Sequence, residues 1–155
     1  MEKIMYWPKR AADALKMVLG LEKECVFCKI VAGSAHGNKI YEDAHCIAIL
    51  DLYPAADGHC LVIPKDHHAD IFDTPPKTLQ AIAVACGKVA VQLQKKLGCH
   101  GANIIQNSGK DAGQVVFHIH FHVIPRFSGD GINLKVGRSL GHPKSLEQMQ
   151  EKLKF

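Results

Sequence analysis

A chain of 155 residues with 47% apolar and 22% charged content is long enough to bury one core and too apolar to stay disordered. Its formal net charge of +4, with no basic block longer than two residues, suits a small anionic partner and argues against a nucleic-acid binder. No run of 18 uncharged apolar residues occurs, and the N-terminus carries Glu2, Lys3, Lys9, Arg10 and Asp13, so neither a membrane span nor a signal peptide is expected.

In chain order, residues 8–22 begin with a proline and space Ala11, Leu15, Val18 and Leu19 at helical intervals. They predict an N-terminal helical extension (1–22) outside the main core. "CVFCKIVAG" predicts a turn entering a short helix that stops near Gly33. "KIYEDAHCIAILDL" and "HCLVIPK" read as two strands joined by the turn-rich "YPAADG", an antiparallel hairpin. The clearest helix follows, with Thr74 as its cap, Pro75 in its first turn and Gly98 at its end. Between them Leu79, Ile82, Cys86, Val89, Leu93 and Leu97 form one apolar stripe. "GANIIQN" and "QVVFHIHFHVIP" are two further strands, joined by the glycine-bearing loop "NSGKDAGQ". The expectation is an α+β domain over 23–130, an antiparallel sheet with a long helix packed on it, then a tail over 131–155. Cys46, Cys60, Cys86 and Cys99 sit in apolar contexts. Free, buried thiols and a cytoplasmic location are expected.

The segment "HIHFHVIPR" places His118, His120 and His122 on every second residue. Strand geometry then puts the three imidazoles on one face and Ile119, Phe121 and Val123 on the other. Burying three unpartnered imidazoles is expensive, at about 1–3 kcal/mol for each unsatisfied group, so the row is expected to serve a purpose. One use is metal binding by several imidazoles. Another is nucleophilic attack on phosphorus by one of them, for which neutral imidazole is suited near pH 7. The preceding loop offers Asn107, Ser108, Gly109, Gly113 and Gln114 as donors beside the row, as a phosphate site requires.

"HIHFHVI", the preceding "NSGKDAGQVVFHIHFHVIPR", and the upstream "DLYPAADGHCLVIPKDH" and "CVFCKIVAG…KIYEDAHCIAILD" together resemble the histidine triad (HIT) superfamily over roughly residues 25–130. The resemblance implies a dimeric α+β fold that binds a purine nucleotide or nucleoside phosphoramidate. It implies cleavage at the α-phosphate through a covalent nucleotidyl-histidine, releasing a nucleoside monophosphate. By position His120 matches the nucleophile and His122 the imidazole that contacts the phosphate beside it. Asn107, Gly113 and Gln114 match phosphate-contacting positions. Asp51 matches the carboxylate that holds the ribose hydroxyls, and Val26, Phe27, Ile30, Ile49 and Leu52 match the apolar slot around the base; plain core packing is the competing reading for each of these five. Val115 stands in the nucleotide-binding row where several relatives carry Ser or Thr, so a hydroxyl donor to the phosphate or leaving group is missing. A non-catalytic nucleotide sensor is the alternative reading.

Cys25 and Cys28, in "CVFC", admit a redox pair, two buried thiols, or half of a tetrahedral zinc site completed by two of His59, His67, His68 and His118. The HIT resemblance selects His67 and His118, with His68 as a substitute for His67 and His59 placed near the triad. It implies a structural zinc, since four protein ligands leave no open position for substrate. Catalysis by metal-bound hydroxide is the competing role.

Overall fold

The structure, a computed structural model, describes residues 25–134 and residue 153. The helix expected over 8–22 and most of the tail lie outside the described residues. The elements are α1 (Val26–Val31), β1 (Lys39–Glu42), β2 (Cys46–Leu50), β3 (Cys60–Pro64), α2 (Pro76–Leu97), β4 (Gly101–Gln106), a 3-10 turn (Lys110–Ala112) and β5 (Phe121–Arg126). The strands form one antiparallel sheet in the order β1-β2-β3-β5-β4, and the α+β architecture is as the sequence implies. No helix among the described residues is long and apolar enough to cross a membrane.

Both faces of the central strands are covered, which explains why β2 and β3 read as continuous apolar runs rather than alternating ones. On one face Cys46, Ala48, Cys60, Val62 and Val123 meet Ile82, Ala85, Cys86, Val89 and Leu93 of α2. On the other, Ile47, Ile49, Leu61 and Ile63 meet Phe27 and Ile30 of α1. Each fully buried aliphatic side chain contributes about 1.5–3 kcal/mol by leaving water, so these two layers hold the sheet that carries the site. Burial pushes the Cys60 and Cys86 thiols up to about 12, so they are inert packing groups.

Several local expectations change. The long strand "KIYEDAHCIAILDL" is two strands, because the Asp43 carboxylate accepts the N–H groups of His45 (2.8 Å) and Cys46 (2.7 Å) and folds a turn between them. Thr74 does not cap α2: its hydroxyl donates to the Asp70 carbonyl at 2.6 Å. Pro75 holds the N-cap position in an extended conformation, as a residue before another proline must. The end of α2 is as expected, with Gly98 at φ +67° donating to the Gln94 carbonyl. Of the apolar stripe, Leu97 is the member left half-exposed, at 44%.

The histidine strand also starts later than expected. Ladder pairing begins at Phe121, opposite Val62. Before it, the chain bends through residues 116–118 and then runs beside the segment after β3, where Ile119 N–H donates to the His68 carbonyl at 2.7 Å. The two-residue alternation survives this change of partner. Ile119 and Val123 are fully buried in the α2 layer with Phe121 packed beside them, while His118 and His120 make edge contacts with the Phe27 ring on the opposite face.

Candidate functional site

The three triad histidines occupy three chemically distinct settings. His118 is fully buried, and its Nε2 lies 2.9 Å from the Pro64 carbonyl. A carbonyl can only accept, so Nε2 carries the proton and the Nδ1 lone pair faces the other way. Nδ1 lies 3.5 Å from Cys25 Sγ, 3.5 Å from Cys28 Sγ and 3.2 Å from His67 Nδ1, and Cys28 Sγ is 3.2 Å from His67 Nδ1. All four ligand atoms fall within 4.8 Å of one another. His68, the substitute considered for His67, is not in the group; its carbonyl holds Ile119 instead.

These distances can be set against a metal. Zinc held tetrahedrally at ~2.05 Å from nitrogen and ~2.3 Å from sulfur separates its ligands by roughly 3.3 Å (N···N) and 3.6 Å (N···S). The His67–His118 edge at 3.2 Å and both His118–sulfur edges at 3.5 Å match these values, and the Cys28–His67 edge, at 3.2 Å, is the short one. The outward N–H of His118 on a backbone carbonyl is the support that metal-bound imidazoles normally have. The residues fit zinc.

His120 is buried at 8% exposure, with Nδ1 2.7 Å from the His118 carbonyl. The same rule applies: Nδ1 carries the proton, and Nε2 keeps a bare lone pair. Burial lowers its pKa, so the ring is neutral at pH 7 and nucleophilic without a base to deprotonate it.

His122 belongs to a second group. Ala55 N–H donates to His59 Nδ1 at 3.1 Å, which forces the His59 proton onto Nε2. That N–H then donates to His122 Nδ1 at 2.9 Å. The remaining His122 proton sits on Nε2, the atom not engaged by His59. Asp51 Oδ2 lies 3.5 Å from His59 Nε2 and 3.7 Å from His122 Nδ1. Burial, reinforced by His120 and His59 and only partly offset by Asp51, lowers the His122 pKa to about 4. Asp51, His59 and His122 also lie close enough to be considered as metal ligands. A metal on His59 Nε2 would require a proton on Nδ1, pointing at the Ala55 N–H, so this trio is a hydrogen-bonded relay.

The loop before the triad spends many of its donors on itself. Gly109, at φ +85°, and Gly113, at φ +83°, close the 3-10 turn. The amides of Ala112, Gly113 and Gln114 donate to the carbonyls of Gly109, Lys110 and Gly109. Gln114 is buried; its Oε1 accepts from Gly109 N–H, and its Nε2 donates to Ala69 and Val116 carbonyls. In this arrangement it braces the loop. The Asn107 side chain enters none of these bonds. Of the expected apolar slot, Phe27, Ile30 and Ile49 are buried, whereas Val26 is half-exposed and Leu52 almost fully exposed, as is Val115 at 86%. Asp51 Oδ1 accepts the Tyr53 N–H at 2.8 Å, which orients the carboxylate at the end of β2.

Sequence reasoning missed the link between Asp51 and His122 and the role of the Pro64 carbonyl. Leu50 pairs with Cys60, so the hairpin sets Asp51 beside His59.

The HIT domain family model matches residues 32–129. The chain belongs to the HIT family. An uncharacterized HIT-like protein of Mycoplasma genitalium is 44% identical over 125 residues, 80% of this chain and 87% of that protein. The adenylylsulfatase HINT3 of Arabidopsis thaliana is 41% identical over 110 residues, 71% of this chain and 56% of that protein. Among solved structures, a Zn-bound histidine triad family protein from Mycobacterium smegmatis is 44% identical with a TM-score of 0.71, covering 76% of this chain and 86% of that one. HIT membership places the chain with nucleotide-binding hydrolases and transferases.

Proposed function

We propose that the protein cleaves a nucleoside-phosphate-X substrate at the α-phosphate, X being a phosphate chain or an amine, through a covalent nucleotide on His120. The observation that carries this reading is the His120 Nδ1 contact with the His118 carbonyl, which leaves Nε2 unprotonated. Attack through Nε2 makes the ring cationic, and the same carbonyl then faces that charge. Neutral His122, with its proton held on Nε2 by His59, is a donor for the phosphate oxygens as their charge develops. Water releases the monophosphate in a second displacement. Asn107, Gly113 and Gln114 shape the phosphate side, Asp51 the ribose side, and Val26, Phe27, Ile30, Ile49 and Leu52 the base side, with purines as the favoured base.

Cys25, Cys28, His67 and His118 would hold zinc in a structural role. Zinc bound there would tie α1 to the start of the triad strand, a purely structural service. The reading extends to a homodimer, supported by β4 as an edge strand carrying half-exposed Ile104, and to a reducing compartment such as the cytoplasm, supported by the free cysteines.

The test is a rapid-quench reaction with a diadenosine polyphosphate, followed by intact-protein mass measurement. A transient mass increase of one nucleotide, absent in His120→Ala, is the expected result. AMP release by His120→Ala at the wild-type rate would overturn the proposal, and tight binding without AMP release by the wild type would favour a sensor.

A further inference from the structure

The six cysteines divide sharply by environment. Cys46, Cys60, Cys86 and Cys99 are buried at 3% exposure or less. Cys25 and Cys28 alone among the six stay partly exposed. Oxidants in solution attack accessible thiolates and leave buried neutral thiols alone. A peroxide meeting this chain therefore meets Cys25 and Cys28 first.

The geometry of the pair favours one product. Cys25 is the N-cap residue of α1, extended at φ −69° and ψ 116°, and Cys28 lies one turn further on. Lys29 N–H donates to the Cys25 carbonyl at 3.1 Å, which closes that turn. Side chains three residues apart on a helical turn are neighbours. Here both Sγ atoms lie 3.5 Å from a single atom, His118 Nδ1, and all the ligand atoms of the cluster fall within 4.8 Å of one another. A sulfur–sulfur bond, at about 2.05 Å, then needs adjustment within one turn and no rearrangement of the sheet. Such a bond is incompatible with the metal, because the thiolate is the ligand and a disulfide sulfur is not.

We propose that Cys25 and Cys28 form an oxidative modification site, at which a peroxide converts the pair to a disulfide and zinc is released. The inference rests on the zinc assignment above and adds a chemical response to it. One thiolate attacks a peroxide oxygen, the O–O bond breaks, and hydroxide leaves behind a sulfenic acid. The second thiolate attacks that sulfur, forms the S–S bond and displaces a second hydroxide. Two electrons pass from the sulfurs to the peroxide. His67 and His118 remain, two ligands where a closed tetrahedral site needs four. The change lies next to the nucleophile. Phe27, between the two cysteines in sequence, has its ring 5.1 Å from that of His120 and 5.9 Å from that of His118. His118 enters the cluster through Nδ1, while its carbonyl lies 2.7 Å from His120 Nδ1. Oxidation thus unties α1 from the residue that orients His120, and the oxidised chain is the less stable one.

The experiment treats the full, reduced, zinc-loaded chain with hydrogen peroxide. A chromogenic chelator follows released zinc, and peptide mass mapping after alkylation in denaturant assigns each cysteine. The expected result is one zinc released for each Cys25–Cys28 disulfide formed, with Cys46, Cys60, Cys86 and Cys99 still thiols. The apparent Tm falls as it does on chelation, and dithiothreitol with added zinc restores it. In Cys28→Ser, Cys25 is expected to stop at a sulfenic acid that dimedone traps; mapping on the unmutated chain stands whether or not this variant folds. Zinc retained in excess peroxide overturns the inference, as does zinc lost with both sulfurs carried to sulfinic acid and no disulfide. An unchanged Tm after release overturns the coupling to the fold. A reduced chain that takes up no zinc overturns the zinc assignment itself, and the inference with it.

Discussion

Replacing Gln114 by alanine separates a bracing role from a phosphate contact. The side chain is 5% exposed. It accepts from Gly109 N–H at 2.7 Å and donates to the Ala69 and Val116 carbonyls at 2.6 and 3.1 Å. Truncation strands one amide and two carbonyls at the base of the loop. At about 1 kcal/mol net for each hydrogen bond, the expected loss is about 3 kcal/mol. For a chain of this size that corresponds to a fall in Tm of roughly 6–12 °C. Thermal unfolding followed by circular dichroism is the assay, at fixed protein and metal concentrations because either would shift the apparent stability. A change of less than about 2 °C, together with a raised KM for nucleotide, would refute the bracing argument and return Gln114 to direct phosphate contact.

Gly58 has φ +87°, and a Cβ there would lie 2.5 Å from Leu97 Cδ1, so Gly58→Ala is expected to destabilise by about 1–3 kcal/mol. Gly87, in the open on α2, is the control: its alanine variant should be stabilised by about 0.5–1 kcal/mol, both read from urea midpoints. The His122 pKa is lowered to about 4 by burial, with His120 and His59 adding to it, so below pH 6.5 the unfolded chain binds this proton more readily than the folded one. Its stabilising contribution is complete above about pH 6.5 and is lost as pH falls towards 4; the slope over that window should flatten in His122→Gln, measured by denaturation at several pH values. Stripping metal with a strong chelator, or Cys28→Ser, should lower Tm by about 6 °C or more, at roughly 3 kcal/mol or more, while the protein that stays folded still releases AMP. Loss of AMP release with Tm unchanged would make the metal catalytic.

Much of the fold could be read from short-range pattern. The α2 stripe, the hairpin of β2 and β3, and the opposed faces of 118–123 follow from spacing alone, because burial enforces period on both helix and strand. What escaped reading depends on single side chains bonding to backbone. Asp43 divides one apparent strand into two through two N–H bonds, and Thr74 turns back to Asp70, where the prolines at 75 and 76 remove the first two amides a cap could use. The Cys25, Cys28, His67 and His118 cluster unites residues 39 to 93 positions apart. Spacing could nominate Cys25 and Cys28, but choosing His67 over His68 or His59 required either family likeness or coordinates. The imidazole settings were the least legible part, since each is decided by one carbonyl or amide: Pro64 for His118, His118 for His120, Ala55 for His59.

The most direct measurement is the stereochemical course at phosphorus, using an adenosine substrate with a chiral α-thiophosphate hydrolysed in isotopically labelled water. Two in-line displacements, first by His120 and then by water, predict overall retention of configuration. Inversion would mean a single attack by water, and His120 would not be the nucleophile.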